Sequence, residues 1–434
     1  MRALSASPSP LSALNRGPLA YVLLTAYLLL TSVLLLTNTR TSLGTDILFI
    51  LFLLGFLLIY RARVASLYKL ALGAIMLLAI VPYFGAQNAY YIELAIQAGI
   101  FVALALGLNV VVGFAGLLDL GYVAFFAVGA YLWGIFSTDQ AGQFLPGFTP
   151  LPAESFYLFL ALGLFVGAFF GALLGLPVLR LRGDYLAIVT LGLGEVIRVL
   201  AVNLDRPVNI TNGSQGIKSV ARPPLPDVMR TLLPGLNDPQ LYQLLIYLMA
   251  LLVVGLSVFV VYRLKNSRIG RAWEAIREDE TAAIAMGVPL VRMKLLAFAV
   301  GASFAGAMGV LFAAKQQFIN PPTFDLLRSI GILSMVILGG MGSIPGAILG
   351  GMLVTLLDLQ ILPRIATELG ALKRQGVVIP DWFDPAQYQR ALFGLLLIIM
   401  MIFRPEGILP DQRRSEEMHA GAPARPSGQP DQSN

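Results

Sequence analysis

Five stretches of this chain contain no charged side chain: Leu94–Leu118, Ser155–Leu179, Pro239–Tyr262, Leu295–Ala314 and Ser329–Leu357. Each reaches the roughly 20 apolar residues that an α-helix needs to cross a hydrocarbon layer about 30 Å thick. Inside that layer the backbone N–H and C=O groups must find partners within the protein, which leaves helices and closed barrels. The runs are continuous and lack the weak alternation of barrel strands. The expected fold is therefore an all-α polytopic membrane protein. The composition agrees, since only 12% of the 434 residues are charged and 57% are hydrophobic, well outside the soluble range.

Shorter apolar segments add to these. Leu19–Leu36 is too long for a signal-peptide core and no small-residue cleavage site follows it, so it reads as a retained helix. Spans are also expected near 47–60, 70–84, 120–136, 185–202 and 389–403. The total is about 10–12 transmembrane helices. The uncertainty lies in 120–136, 326–338 and 346–361, which are short enough to be broken or re-entrant. Residues 1–18 and 411–434 are polar and expected to be disordered.

Several chemistries are excluded at once. With no cysteine there is no thiolate, disulfide or Cys metal site, and the only histidine, His419, lies in the polar tail. No G-x-x-x-x-G-K-[ST] occurs, so the chain cannot build its own phosphate-binding loop. No metal site or nucleophile–base constellation is predicted. The net charge of +6 fits the bias of basic residues toward cytoplasmic loops better than a nucleic-acid surface.

One segment breaks the pattern. Residues 263–294 carry seven basic and four acidic side chains in 32 positions. Trp273, Ile276, Ala283 and Gly287 fall on one face of a helix, with Arg271, Glu274, Arg277, Glu278 and Glu280 around the rest. The pattern predicts a four-turn helix over 270–287, ended by Gly287 and Pro289 and too polar to insert. By pattern alone it could be a docking helix, a solvated connection or a helix lying among headgroups.

Four ordered blocks make the chain recognisable: GLNVVVGFAGLLDLGYVAFFAVGAY (107–131), PVLRLRGDYLAIVTLGLGEVIR (177–198), GRAWEAIREDE (270–280) and VILGGMGSIPGAILGG (336–351). Together they resemble the M-type permease subunit of branched-chain amino acid ABC importers. Glu274-Ala275 resembles the start of the coupling-loop motif of such permeases, and Gly287 is the counterpart of its glycine, at a different spacing. The resemblance covers 91–410 and implies a type II-like permease fold, with 19–90 as extra N-terminal helices outside the motif region.

It further implies a heterodimer with a second permease, two ATPase subunits holding ATP and Mg, and a periplasmic substrate-binding protein. This chain would carry no cofactor. The location implied is the bacterial inner membrane, with both termini cytoplasmic. Docking to the ATPases would fall to Arg271, Ala272, Trp273, Glu274, Ala275, Ile276, Arg277 and Gly287. Two alternatives remain at this point: a urea or short-amide importer built on a similar permease, and a stand-alone secondary transporter.

A zwitterionic substrate needs partners for its ammonium and carboxylate, and interrupted helices can offer backbone charge at their ends. Two interruptions are predicted, Asn109–Tyr122 and 339–346. The first is the candidate pathway, through Asn109, Gly113, Gly116, Asp119 and Tyr122. Glu195 and Arg198, three apart on one span, are a candidate intramembrane ion pair. Glycine and alanine ridges at 163–175, 301–309 and 342–350 mark close helix packing, within the chain, at a subunit seam or on a sliding surface.

Overall fold

A computed structural model describes residues 18–38, 43–62, 64–178, 184–374 and, beyond these, 394–395, 398–399, 402–403 and 406–410. Among them are ten helices long and apolar enough to cross a membrane, and one shorter apolar helix. The chain is an all-α multi-pass membrane protein, as the charge-free runs require. The expected disorder of residues 1–17 and 411–434, and most of the expected span 389–403, lie outside the described residues.

The N-terminal part comprises α1 (Pro18–Thr37), α2 (Leu43–Arg61), α3 (Ser66–Ile75) and α4 (Val81–Gln87). A π-helical turn, Met76–Ile80, joins α3 to α4 into one span. α5 (Ala89–Leu108) starts on the Asn88 side chain, which accepts from the Tyr90 N–H, and ends in a second π-helical turn, Asn109–Phe114. These extra helices are fastened to α5. Phe49, Phe84 and Tyr91 form a buried ring cluster with centroids about 5–6 Å apart. Beside it, Asp46 accepts from the Tyr91 hydroxyl at 2.7 Å and the Gln360 amide at 3.0 Å, and Arg364 approaches at 3.3 Å. A carboxylate in an apolar setting demands such partners.

α6 (Val123–Phe136) has 14 residues and a length of about 21 Å, too short to cross alone. The missing depth is filled by the non-helical residues 115–122. Non-helical backbone is tolerable at membrane depth when protein surrounds it, and all but three of those residues, Gly116, Leu118 and Leu120, are buried. α7 (Phe156–Val178) and α8 (Asp184–Asn203) follow, and then a polar segment with a short α9 (Asp227–Leu232). α10 (Asp238–Lys265) begins with a capping box between Asn237 and Gln240. Its 28 residues extend about 42 Å, so it projects beyond the hydrocarbon.

The charged insert contains two helices. α11 (Arg268–Glu278) starts on Ser267 and stops at Asp279, whose extended backbone breaks the chain direction. The Asp279 carboxylate then accepts from Thr281 N at 2.7 Å and Ala282 N at 3.1 Å, which starts α12 (Glu280–Ala285). The single helix expected over 270–287 is thus divided, because an Asp in this setting caps the next helix better than it extends the last.

α13 (Leu290–Gln316) is the central helix, packed against α5, α6 and α7. The ridge Gly163–Gly175 lies on the ridge Gly301–Gly309. A Cβ added at Gly171 would stand 2.6 Å from the Ala302 methyl, and one at Gly301 would stand 2.7 Å from the Gly107 carbonyl oxygen. These ridges are intrachain contacts, where close backbone approach replaces burial as the source of cohesion. α14 (Leu326–Gly339) and α15 (Ile344–Leu356) form a hairpin. α15 continues through a third π-helical turn, Leu357–Ile361, into α16 (Leu362–Arg374).

The ends of the helices form two distinct zones. One gathers the insert, residues 109–116 and the 339–343 corner. The other gathers 203–238 and the two-residue strands β1 (Ile217–Lys218) and β2 (Phe318–Ile319), paired antiparallel. The segment 203–238 is tied down there by Trp133 Nε1 donating to Ala221 O at 2.9 Å and by Gln140 donating to Asn209. Its TNGSQG turn, 211–216, is held by Asn212 donating to Gly216 O and to Asn209 Oδ1, and by Thr211 Oγ1 donating to Ala201 O.

Candidate functional site

The two predicted interruptions meet. Asn109, fully buried on α5's π-helical turn, accepts from Gly342 N at 2.9 Å and donates to Ser343 O at 3.3 Å. One side chain thereby satisfies the Gly342 N–H that the α14–α15 corner leaves free and adds a second bond to Ser343 O, which also accepts from Ala347 N at 2.9 Å. Gly342 adopts φ +82°, which a β-carbon would strain. Residues 406–409 seal the same corner, with Ile408 N and Leu409 N donating to Leu338 O and Gly339 O at 2.9 Å.

The insert is bonded to both interruptions. The Arg277 guanidinium on α11 donates to Gly113 O at 2.6 Å. The Lys265 ammonium, at the end of α10, donates to Gly342 O at 3.1 Å and lies 5.6 Å from the Phe114 ring. Gly116, at φ +71°, leaves room for the Arg277 stem; a Cβ there would stand 2.5 Å from Arg277 Cγ. Among the expected pathway residues, Asn109, Gly113, Asp119 and Tyr122 are therefore buried in protein, and only Gly116 is exposed. Asn109 and Gly113 belong to this joint, and in this structure none of the four lines an open path. Tyr122 donates to Gly301 O at 2.8 Å. Asp119 accepts from Gly121 N at 2.9 Å, while its second oxygen has no hydrogen-bond partner. The cavity beside it, about 10 Å³, is no larger than a single water requires.

The expected docking residues divide by face. Trp273 and Ile276 are buried, and Trp273 Nε1 donates to Met293 O at 2.8 Å. Lys294, itself buried, pairs with Glu280. These contacts fasten the insert to α13. Arg271 is exposed, Ala272, Glu274, Ala275 and Arg277 are half-buried, and Gly287 is exposed beyond α12. The outward surface also holds Ile284, Met286 and Val291, with Met286 84% exposed. The resemblance implies docking through 271–277 and Gly287, and of these Trp273 and Ile276 face the protein's own helices. The exposed apolar side chains belong to the neighbouring face, after the bend at Asp279.

The Glu195–Arg198 pair forms, with Arg198 Nε 2.9 and 3.0 Å from the two carboxylate oxygens, on the outer surface of α8. Glu93 and Lys315 pair with each other across α5 and α13, and the Lys315 side chain is 8% exposed. Among the described residues no group of three or more metal-ligating side chains occurs.

At the opposite zone, an open groove of about 610 Å³ lies between α5, α14 and the turn Leu357–Ile361. Asp325, Arg328, Asp358 and Gln97 line it, together with apolar side chains such as Phe101 and Met335. By position in the chain these charges fall at span ends, where water is ordinarily within reach. A signal was present in the sequence, since Arg328 and Asp358 flank the charge-free run 329–357, which folds back on itself at its glycine corner.

A family profile described as "Branched-chain amino acid transport system / permease component" matches residues 90–401. The high-affinity branched-chain amino acid transport system permease protein LivM of Escherichia coli (strain K12) is 39% identical over 368 residues, covering 82% of this chain and 78% of LivM. The corresponding permease protein BraD of Pseudomonas aeruginosa is 28% identical over 323 residues, 71% of this chain and 91% of BraD. LivH of Escherichia coli (strain K12) is 30% identical over 159 residues, 37% of this chain and 44% of LivH. No solved structure matches the chain. With its interrupted helices joined by Asn109 and held to a charged insert, this chain is a member of the branched-chain amino acid transport system permease family.

Proposed function

We propose that this chain is one of two permease subunits of an ATP-driven importer for branched-chain amino acids. Its partner is a related permease, two ATPase subunits bind ATP and Mg, and a periplasmic binding protein delivers the substrate. The complex lies in the bacterial inner membrane. The insert faces the cytoplasm with both chain termini, in keeping with the basic residues Arg263, Lys265, Arg268, Arg271, Arg277 and Arg292 gathered there. This chain has no ATPase site of its own and acts as a transducer.

The observation that carries this reading is the double attachment of the insert. A push on its outer surface reaches Gly113 through Arg277 and Gly342 through Lys265, so both interruptions move with it. The outer surface suits a protein partner, with Ile284, Met286 and Val291 inside a rim containing Arg271, Glu278 and Asp279. ATP hydrolysis elsewhere thereby becomes displacement of the two broken helices that meet at Asn109.

Two substitutions separate docking from transmission in the four-component complex in proteoliposomes. Met286→Asp is expected to reduce co-purification of the ATPases severalfold, because it places a charge in the apolar centre of the contact. Arg277→Met is expected to keep the ATPases bound but lower leucine uptake per ATP hydrolysed. Unchanged ATPase binding in the first and unchanged coupling in the second would defeat the proposal.

A further inference from the structure

We propose that the groove bounded by α5, α14 and the turn Leu357–Ile361 binds a free aliphatic amino acid directly, with Arg328 taking its carboxylate and Asp325 and Asp358 its ammonium. This rests on the importer reading and adds to it a substrate-contact site within this subunit.

The groove has the size and the chemistry for such a ligand. Its volume, about 610 Å³, lies within the usual range of small-molecule sites, roughly 300–1,000 Å³. A charged side chain in a membrane-spanning segment is costly and is kept where it contacts a partner or a solute. Among the described residues, no carboxylate reaches Arg328 at ion-pair distance. The two whose charge it feels are Asp325 and Asp358, and its guanidinium lies 5.7 Å from the Phe101 ring. Both signs of charge therefore line one cavity, as a zwitterion requires. Guanidinium and carboxylate are geometrically matched for a two-pronged contact. Phe101, Met335 and Val354 supply an apolar wall for the side chain.

The two acidic groups are held from behind. Asp325 caps α14, its carboxylate accepting from Arg328 N at 3.0 Å, so its position is fixed by the helix start. Asp358 lies on a π-helical turn, a device that commonly re-aims a side chain at a functional site. Two residues later Gln360 is buried and donates to Asp46 at 3.0 Å, which pins the turn to the N-terminal helices. A site on supported elements can hold its contacts in register. The groove lies near Phe318 and Asn320, at the zone opposite the insert, where a solute released by a receptor would arrive.

The chain contains no cysteine, so one introduced thiol reports on one place. In the assembled complex, Leu327→Cys puts a thiol on the groove wall, at a position 47% exposed. A water-soluble maleimide should label it, and saturating L-leucine should slow labelling about fivefold or more. Adding Arg328→Gln should abolish that protection and, in transport assays with saturating receptor, lower leucine uptake roughly tenfold. Arg328→Lys should recover part of the rate, and ATPase co-purification should be unchanged throughout.

Labelling that leucine never slows, or an L327C thiol that never labels, would overturn the proposal. So would Arg328→Gln blocking assembly while Arg328→Lys restores assembly and full uptake, since the groove would then be a subunit contact. A wild-type complex with leucine protection but no ATP-driven uptake would remove the import reading and leave the groove standing.

Discussion

Two of the π-helical turns use the same backbone device to opposite ends. At Asn109–Phe114 every residue is buried, and the turn's loose groups are taken up by Arg277 and by the α14–α15 corner. At Leu357–Ile361 only Gln360 is buried, and Asp358 and Leu359 open into a groove. The first interruption is closed by protein on all sides and tied to the insert, the arrangement our proposal uses to transmit force. The second is braced on one side and exposed on the other, so it can meet a solute. An interrupted helix in a membrane is therefore not by itself a sign of a pathway; what satisfies the freed groups decides its use.

The sharpest way to break this contrast is to remove the link that closes the first turn. Asn109→Leu leaves Gly342 N–H buried without a partner and removes one of the two bonds to Ser343 O, and should cost roughly 2 kcal/mol. Thermal unfolding of the detergent-solubilised chain measures this, and an unchanged midpoint would remove the joint as a structural centre. Next in size is the brace of the second turn. Asp46→Asn weakens the charge-assisted bonds to Tyr91 and Gln360 and should cost about 1–2 kcal/mol. Leucine uptake should fall with it if the brace aims Asp358; normal uptake would show that the turn holds its course unaided.

A smaller effect is expected where the insert meets α13. Trp273→Phe keeps the buried ring but loses the Nε1–H bond to Met293 O, for about 1 kcal/mol. ATPase co-purification should survive, because Trp273 faces inward; its loss would return this residue to the docking surface. The smallest belongs to the half-exposed pair on α8. Glu195→Gln removes an ion pair whose side chains are 31% and 44% exposed, and screening should hold its effect below about 1 kcal/mol. Uptake should not change measurably, and a marked fall would assign α8 a role beyond packing.

What the sequence showed depended on how local the cause was. The spans were legible because bilayer thickness acts on consecutive residues. The glycine ridges were legible because four-residue spacing is itself the contact surface. The insert was legible by its charge, but not its bend, since Asp279 could equally have continued a polar helix. The joint was out of reach: Asn109 and its partners are more than 230 positions apart in the chain. The groove was missed because charges at span ends ordinarily face water, and only the fold turns Arg328 and Asp358 toward one cavity.

The glycine-faced contact between α7 and α13 has a consequence for how the molecule can move. With Gly163, Gly167 and Gly306 backbone against backbone, no side chain fits between the two helices and they pack as one unit. We expect the two to move together as a slab. Any alternation between access states then has to be taken up at its margins, in the corner after α14 and the bend at Asp279, and the tightest-packed part of the protein becomes its lever arm.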